Sequence, residues 1–118
     1  MPEPSINVDV RITGATASVL AIRGDLTAAS EDVLTNAYEQ ACTEATRSVL
    51  LDFAGLEYLN SGGIGLLVTL LVRANREQRK LIGYGISDHH RDIFRLTRLD
   101  EAMEIQNSEQ EAVAAAGE

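Results

Sequence analysis

Apolar and polar residues alternate near the start of the chain: Ile6, Val8, Val10 and Ile12 take every second place, with Asn7, Asp9 and Arg11 between them. A period of two belongs to a strand with one buried face. Gly14 interrupts the pattern, and residues 17–22 resume it with aliphatic and β-branched side chains. Thr13-Gly14-Ala15-Thr16 between the two runs predicts an antiparallel hairpin. After Gly24-Asp25-Leu26-Thr27-Ala28-Ala29-Ser30 the period changes: Val33, Leu34, Ala37, Tyr38, Ala41, Cys42 and Ala45 recur at helical spacing. They predict an amphipathic helix with Cys42 on its core face.

Residues 48–53 form a short, nearly continuous apolar run, as expected of a strand covered on both faces. Leu56-Glu57-Tyr58-Leu59 extends it, and Asn60-Ser61-Gly62-Gly63 ends it. From Ile64 the chain is apolar almost without pause to Val72, then turns basic through Arg73, Arg76, Arg79 and Lys80, which suits a helix C-terminus. Residues 81–86 predict another short strand. Ile93, Phe94 and Leu96 predict a short helix, residues 102–105 an edge strand, and residues 109–116 a weak terminal helix. A hairpin followed by alternating helices and strands implies one α/β domain with a mixed, largely parallel sheet packed by helices. The Asn60–Gly63 loop then lies at the carboxyl end of a central strand, where open α/β sheets commonly carry their functional groups.

Composition narrows the function classes. The 118 residues suffice for one well-buried core. Aromatics are only 4% of the chain, so little is available for stacking on unpaired bases. A formal net charge of -8 repels phosphate backbones and anionic lipid surfaces. Nucleic acid is therefore not the expected partner, and no apolar run is long enough for direct membrane insertion. The single Cys42 has no disulfide or metal-binding companion, and the first residues lack the basic start and apolar run of a signal peptide, so a cytoplasmic setting is expected.

The candidate chemistry gathers at the strand–helix junction. Gly62, Gly63 and Gly65 lack the Lys-Ser/Thr ending of a phosphate loop, so they read as residues that let the helix start pack close to its neighbours. Ser61 reads as an N-cap, or as a phosphate acceptor at a helix N-terminus, and the two readings are compatible. A hydrolase elbow would need glycine where Leu59 stands, and no metal or other cofactor is implied; His89 and His90 read as solvated surface residues, Asp52 and Glu57 as charges at the sheet rim. Ile64, Leu67, Val68 and Leu71 form the stripe expected against the sheet, which leaves Leu66 and Leu70 on a flank. Those two are either covered by another segment or form a protein-binding ridge beside Ser61.

The stretch Leu51-Asp52-Phe53-Ala54-Gly55-Leu56-Glu57-Tyr58-Leu59-Asn60-Ser61-Gly62-Gly63-Ile64-Gly65-Leu66-Leu67 resembles the STAS domain of bacterial anti-sigma factor antagonists. Gly24-Asp25-Leu26-Thr27 is similar to the family's segment before its first helix, and Ile86-Ser87 with Phe94 to the turn and aromatic after its fourth strand. The resemblance implies a STAS domain over residues 5–116, with short termini at 1–4 and 117–118. It implies a regulator, not an enzyme, that binds an anti-sigma factor which is also a serine kinase, freeing a sigma factor for transcription. Phosphorylation of Ser61 would end binding and a serine phosphatase would reset it. The partner-binding residues so implied are Asp25, Thr27, Asn60, Ser61, Gly62 and Gly63, beside Leu66 and Leu70. Asn60 stands where the family has an acidic residue, Gly62 where it has a hydroxyl, and Thr27 where it has Asp. STAS domains also serve as scaffold or accessory subunits, such as the soluble partner of a lipid-transport ATPase, and a homodimer stays open.

Overall fold

The alternation over residues 6–12 pairs as the pattern predicts. In the computed structural model, which describes residues 5–117, β1 (Ile6–Ile12) runs antiparallel to β2 (Ala17–Leu26), with Val8 opposite Ile22 and Val10 opposite Leu20. β3 (Ser48–Leu59), β4 (Lys80–Tyr84) and β5 (Glu104–Gln106) continue the sheet in parallel, in the spatial order β1-β2-β3-β4-β5. The helices are α1 (Glu31–Ala41), α2 (Ser61–Arg76), α3 (Asp88–Leu96), α4 (Leu99–Ala102) and α5 (Glu109–Ala115). This is the mixed sheet with an N-terminal hairpin expected from the sequence.

Side chains alternate across the sheet, so each strand feeds two cores. Leu20, Ile22, Val49, Leu51, Phe53 and Leu81 meet α1, α2 and α3 in the larger one, where Phe53 and Phe94 pack edge to face at 5.4 Å. On the other face Val19, Leu50, Ile82 and Tyr84 meet α5 through Ala112 and Val113. Glu109, at the start of α5, accepts from the Tyr84 hydroxyl at 2.9 Å and from Arg11 at 2.6 Å.

Several elements depart from the sequence pattern for physical reasons. β2 runs past Ile22 to Leu26 because Gly24 takes φ +94, and Asp25 N–H then donates to the Ser5 carbonyl. α1 stops at Ala41, short of Ala45: Cys42 is extended, and the Thr46 and Thr43 hydroxyls accept from Thr43 and Ala45 N–H. Cys42 is thus a half-buried C-cap residue packed at the core margin. Local hydroxyl–backbone bonds have overridden the helical period there. The short α4 was not legible in the pattern, and of the apolar residues that predict α3, Phe94 is buried while Leu96 is exposed.

Two further expectations are corrected. Leu70 is only 5% exposed and belongs to the core; Leu66 is half-buried against it. The stripe facing the sheet is Gly63, Leu67, Leu70, Leu71 and Ala74, which turns Val68 (44% exposed) and Val72 (50% exposed) to the outside. His90 is buried, not solvated, with Nδ1 3.1 Å from the Ser87 hydroxyl. Burial first, then the neighbouring His89, hold its imidazole below the ordinary value.

Leu70→Ala is expected to cost about 2–5 kcal/mol and Val72→Ala less than about 0.5 kcal/mol, read by urea denaturation. Because the unfolded chain takes up the His90 proton more readily than the folded one, the stability this residue contributes is complete above about pH 6.5 and is lost as the pH falls through and below that value. Denaturation series between neutral and mildly acid pH should therefore show a steeper acid loss for the natural chain than for His90→Gln.

Candidate functional site

Ser61 owes its position to three local constraints. β3 carries the chain along β2 as far as the Leu26–Leu59 pair, and the next residue leaves the sheet. Asn60 takes an extended conformation (φ -120, ψ -178), and its Oδ1 accepts from Gly63 N–H at 3.0 Å, while its carbonyl accepts from Ile64 N–H at 3.0 Å. Asn60, not Ser61, is therefore the N-cap of α2. Ser61 becomes the first helical residue, exposed, and its hydroxyl has no hydrogen-bond partner among the described residues.

The glycines divide by role. A side chain on Gly63 would run into the Leu26 carbonyl, and one on Gly62 would stand 2.8 Å from Ala28 N. Both residues let the start of α2 sit directly on the end of β2 and the turn after it. Gly65 differs, because a Cβ there would meet nothing within 4 Å. It lies one turn below Ser61 on the outer face of α2.

The same packing brings the 25–28 segment beside Ser61. Thr27 caps the single 3-10 turn Ala28–Ser30: its hydroxyl accepts from Ala29 N–H at 3.2 Å and the Ser30 hydroxyl accepts from Thr27 N–H at 3.0 Å. Asp25 is half-exposed, paired across the strands with Tyr58, which is 52% exposed. Asp25, Thr27, Asn60, Ser61 and Gly62 thus lie along one rim, whereas Gly63, expected to join them, is buried beneath it against the Leu26 carbonyl. Leu66 and Leu70 do not join it; with Leu34 and Thr35 they line a cavity of about 230 Å³ between α1 and α2.

The exposed continuation of the rim is the outer face of α2: Ser61, Gly65, Val68, Thr69 and Val72. In a chain in which 24% of residues are charged, these positions carry no charge. Sequence reasoning gave Val68 to the sheet and missed Val72. The signal was present: extending the stripe through Leu70 and Ala74 puts both valines on the opposite side of the helix. No group of three or more His, Cys, Asp or Glu side chains converges among the described residues. No helix there is long and apolar enough to cross a membrane.

Asn60→Ala should cost about 1 kcal/mol through loss of the cap, whereas Asn60→Asp keeps an accepting oxygen and Ser61→Ala removes no bond. Thermal unfolding of the three variants should rank Asn60→Ala alone as clearly destabilised.

A family model described as Mlab, STAS domain matches residues 8–106. An anti-sigma-B factor antagonist of Staphylococcus aureus is 29% identical over 62 residues, covering 52% of this chain and 57% of that protein. The match thus spans little more than half the length of this relative. An anti-sigma factor antagonist from Mycobacterium paratuberculosis has the same fold, with a TM-score of 0.82 at 19% identity over 97% of this chain and 96% of that one. The phosphorylated form of the Bacillus cell fate determinant SpoIIAA is similar too, with a TM-score of 0.65 at 20% identity over 92% and 98% of the two chains. With the family match running from β1 to the end of β5, the chain belongs to the STAS domain family.

Proposed function

We propose that this STAS domain is an anti-sigma factor antagonist: unphosphorylated, it binds an anti-sigma factor that is also a serine kinase, and phosphorylation of Ser61 releases it. One observation carries the reading. Asn60 has taken over the capping bond, so the Ser61 hydroxyl stands exposed and unbonded at the N-terminus of a sixteen-residue helix. A phosphoryl group there is favoured by the free N–H groups and the helix dipole. It also adds nearly two negative charges beside an uncharged docking face, which opposes association by repulsion and desolvation.

The names of the relatives support the partner class, and one neighbour of the fold is known in a phosphorylated form. The docking face is the rim of Asp25, Thr27, Asn60, Ser61 and Gly62 with the outer face of α2, where Val68 and Val72 take the place expected for Leu66 and Leu70. A phosphatase that resets Ser61 completes the cycle. The expected setting is the cytoplasm.

Incubation with the cognate kinase and ATP should add one phosphate at Ser61, located by mass spectrometry, and Ser61→Ala should abolish it without loss of fold. Val68→Glu should weaken the complex by about 1–3 kcal/mol with little change in thermal stability, read by calorimetry and unfolding side by side. Labelling at another residue would refute the phosphoacceptor assignment. A confirmed partner that binds but never labels Ser61 would instead support a scaffold or accessory STAS subunit, such as that of a lipid-transport ATPase; Asn60 and Gly62, which depart from the family pattern, keep that reading in view.

A further inference from the structure

The lower half of the outer α2 face forms a shallow cleft of about 350 Å³ lined by Val68, Thr69, Val72, Arg73 and Arg76. Its two arginines differ. Arg73 lies 4.9 Å over the Tyr38 ring and pairs with Glu39 at 3.2 Å and Glu77 at 3.4 Å, so its charge is already answered. Arg76 is exposed, one turn beyond Val72, and its side chain has no ion pair or hydrogen bond among the described residues. Five other arginines are committed to carboxylates: Arg11 to Glu109, Arg23 to Asp9, Arg79 to Glu77, Arg95 to Asp92 and Arg98 to Glu101. Arg47 and Lys80 reach backbone carbonyls, and Arg91, also exposed without an ion pair among the described residues, lies on α3 away from the cleft. A free guanidinium beside two half-exposed valines, in a chain of net charge -8, combines basic and apolar character in one spot.

We propose that this cleft is a second docking point for the protein partner, and that it takes a segment bearing an aliphatic side chain followed by an Asp or Glu. The aliphatic group rests on Val68 and Val72, and the carboxylate meets Arg76, whose planar fork suits it. A net charge of -8 disfavours an acidic segment on most of the surface, so the contact sets the register of the complex more than its strength. The surface is continuous with the Ser61 face, and naming its occupant rests on the function proposed above. Fifteen residues of helix put Arg76 about 22 Å from Ser61, nearly three Debye lengths at physiological salt. A phosphate on Ser61 is screened from this contact, so the two ends of the face act independently.

The chemistry of the cleft is tested without a partner by titrating the isotope-labelled chain with sodium octanoate at millimolar concentration, and with octylammonium chloride as the control of opposite charge. Amide shifts at Val68, Val72 and Arg76 with octanoate alone, lost in Arg76→Glu and kept in Arg76→Lys, are expected. Equal shifts with both salts, shifts elsewhere, or none overturn the assignment. With the anti-sigma factor in hand, Arg76→Glu should weaken the complex about tenfold and Arg76→Lys by less than about threefold, with Arg76→Glu and Ser61→Glu additive. A partner that binds Arg76→Glu as tightly as the natural chain overturns the use of the cleft and leaves the proposed function standing. Absence of any anti-sigma partner overturns that function, and the octanoate titration then decides the cleft alone.

Discussion

The approach of Gly63 to the Leu26 carbonyl is the contact on which the rest of the site depends. No residue with a side chain fits there, so α2 begins flush against the end of β2, within the reach of a short cap. That closeness lets Asn60 turn the chain in a single residue, brings Ala28 against Gly62, and gathers the rims of two separate loops into one surface. It also sets the rotation of α2. Once Gly63 faces the sheet, Leu67, Leu70, Leu71 and Ala74 must follow it inward, and Ser61, Val68 and Val72 must face out.

Much of this was legible in the sequence, and the failures have a common cause. The strict alternation of β1 specifies its element because a period of two has one solution on a half-covered sheet, and the continuous run of β3 because both of its faces are buried. The position of Ser61 at the strand–helix junction followed from the glycines. The outer face of α2 did not, because a helix apolar almost throughout from Ile64 to Val72 leaves its rotation to tertiary contacts that periodicity does not register. The cap was likewise assigned one residue late. Asn and Ser are nearly equal as caps, and the backbone angles, not the residue types, decide between neighbours. His90 was read as exposed from its polar neighbours, although the helix it sits on turns it inward beside Phe94.

Away from the site, the far ends of α1 and α2 are stitched together by a cluster that sequence spacing does not announce. The buried Tyr38 donates to Glu77 at 2.7 Å, Arg79 pairs with the same carboxylate at 2.5 Å and reaches the Thr43 carbonyl at 2.8 Å, and Arg73 covers the ring. Burial, with Glu77 close by, pushes the Tyr38 hydroxyl up to about 12, so it stays a donor. The Tyr38 hydroxyl first, then Arg73 and Arg79, hold Glu77 below the ordinary carboxylate range, and this keeps the acceptor charged. One end of the helix pair is thereby fixed by polar bonds and the other by the glycine contact, which leaves the uncharged face between them on a rigid support.

The terminal helix has a different standing. α5 has seven residues, mostly alanine and glutamate or glutamine, far short of the length at which a helix holds itself together in water. Its seat is built from Val19 on β2, Leu50 on β3 and Ile82 and Tyr84 on β4, so no two adjacent segments of the chain suffice to make it. Ser108 and Glu109 contribute a cap and a link to Arg11 and Tyr84, but those partners also come from distant strands. The order of assembly follows: α5 is the product of a finished sheet and cannot help to nucleate it, and a loss of register in any of the three strands would dissolve it first.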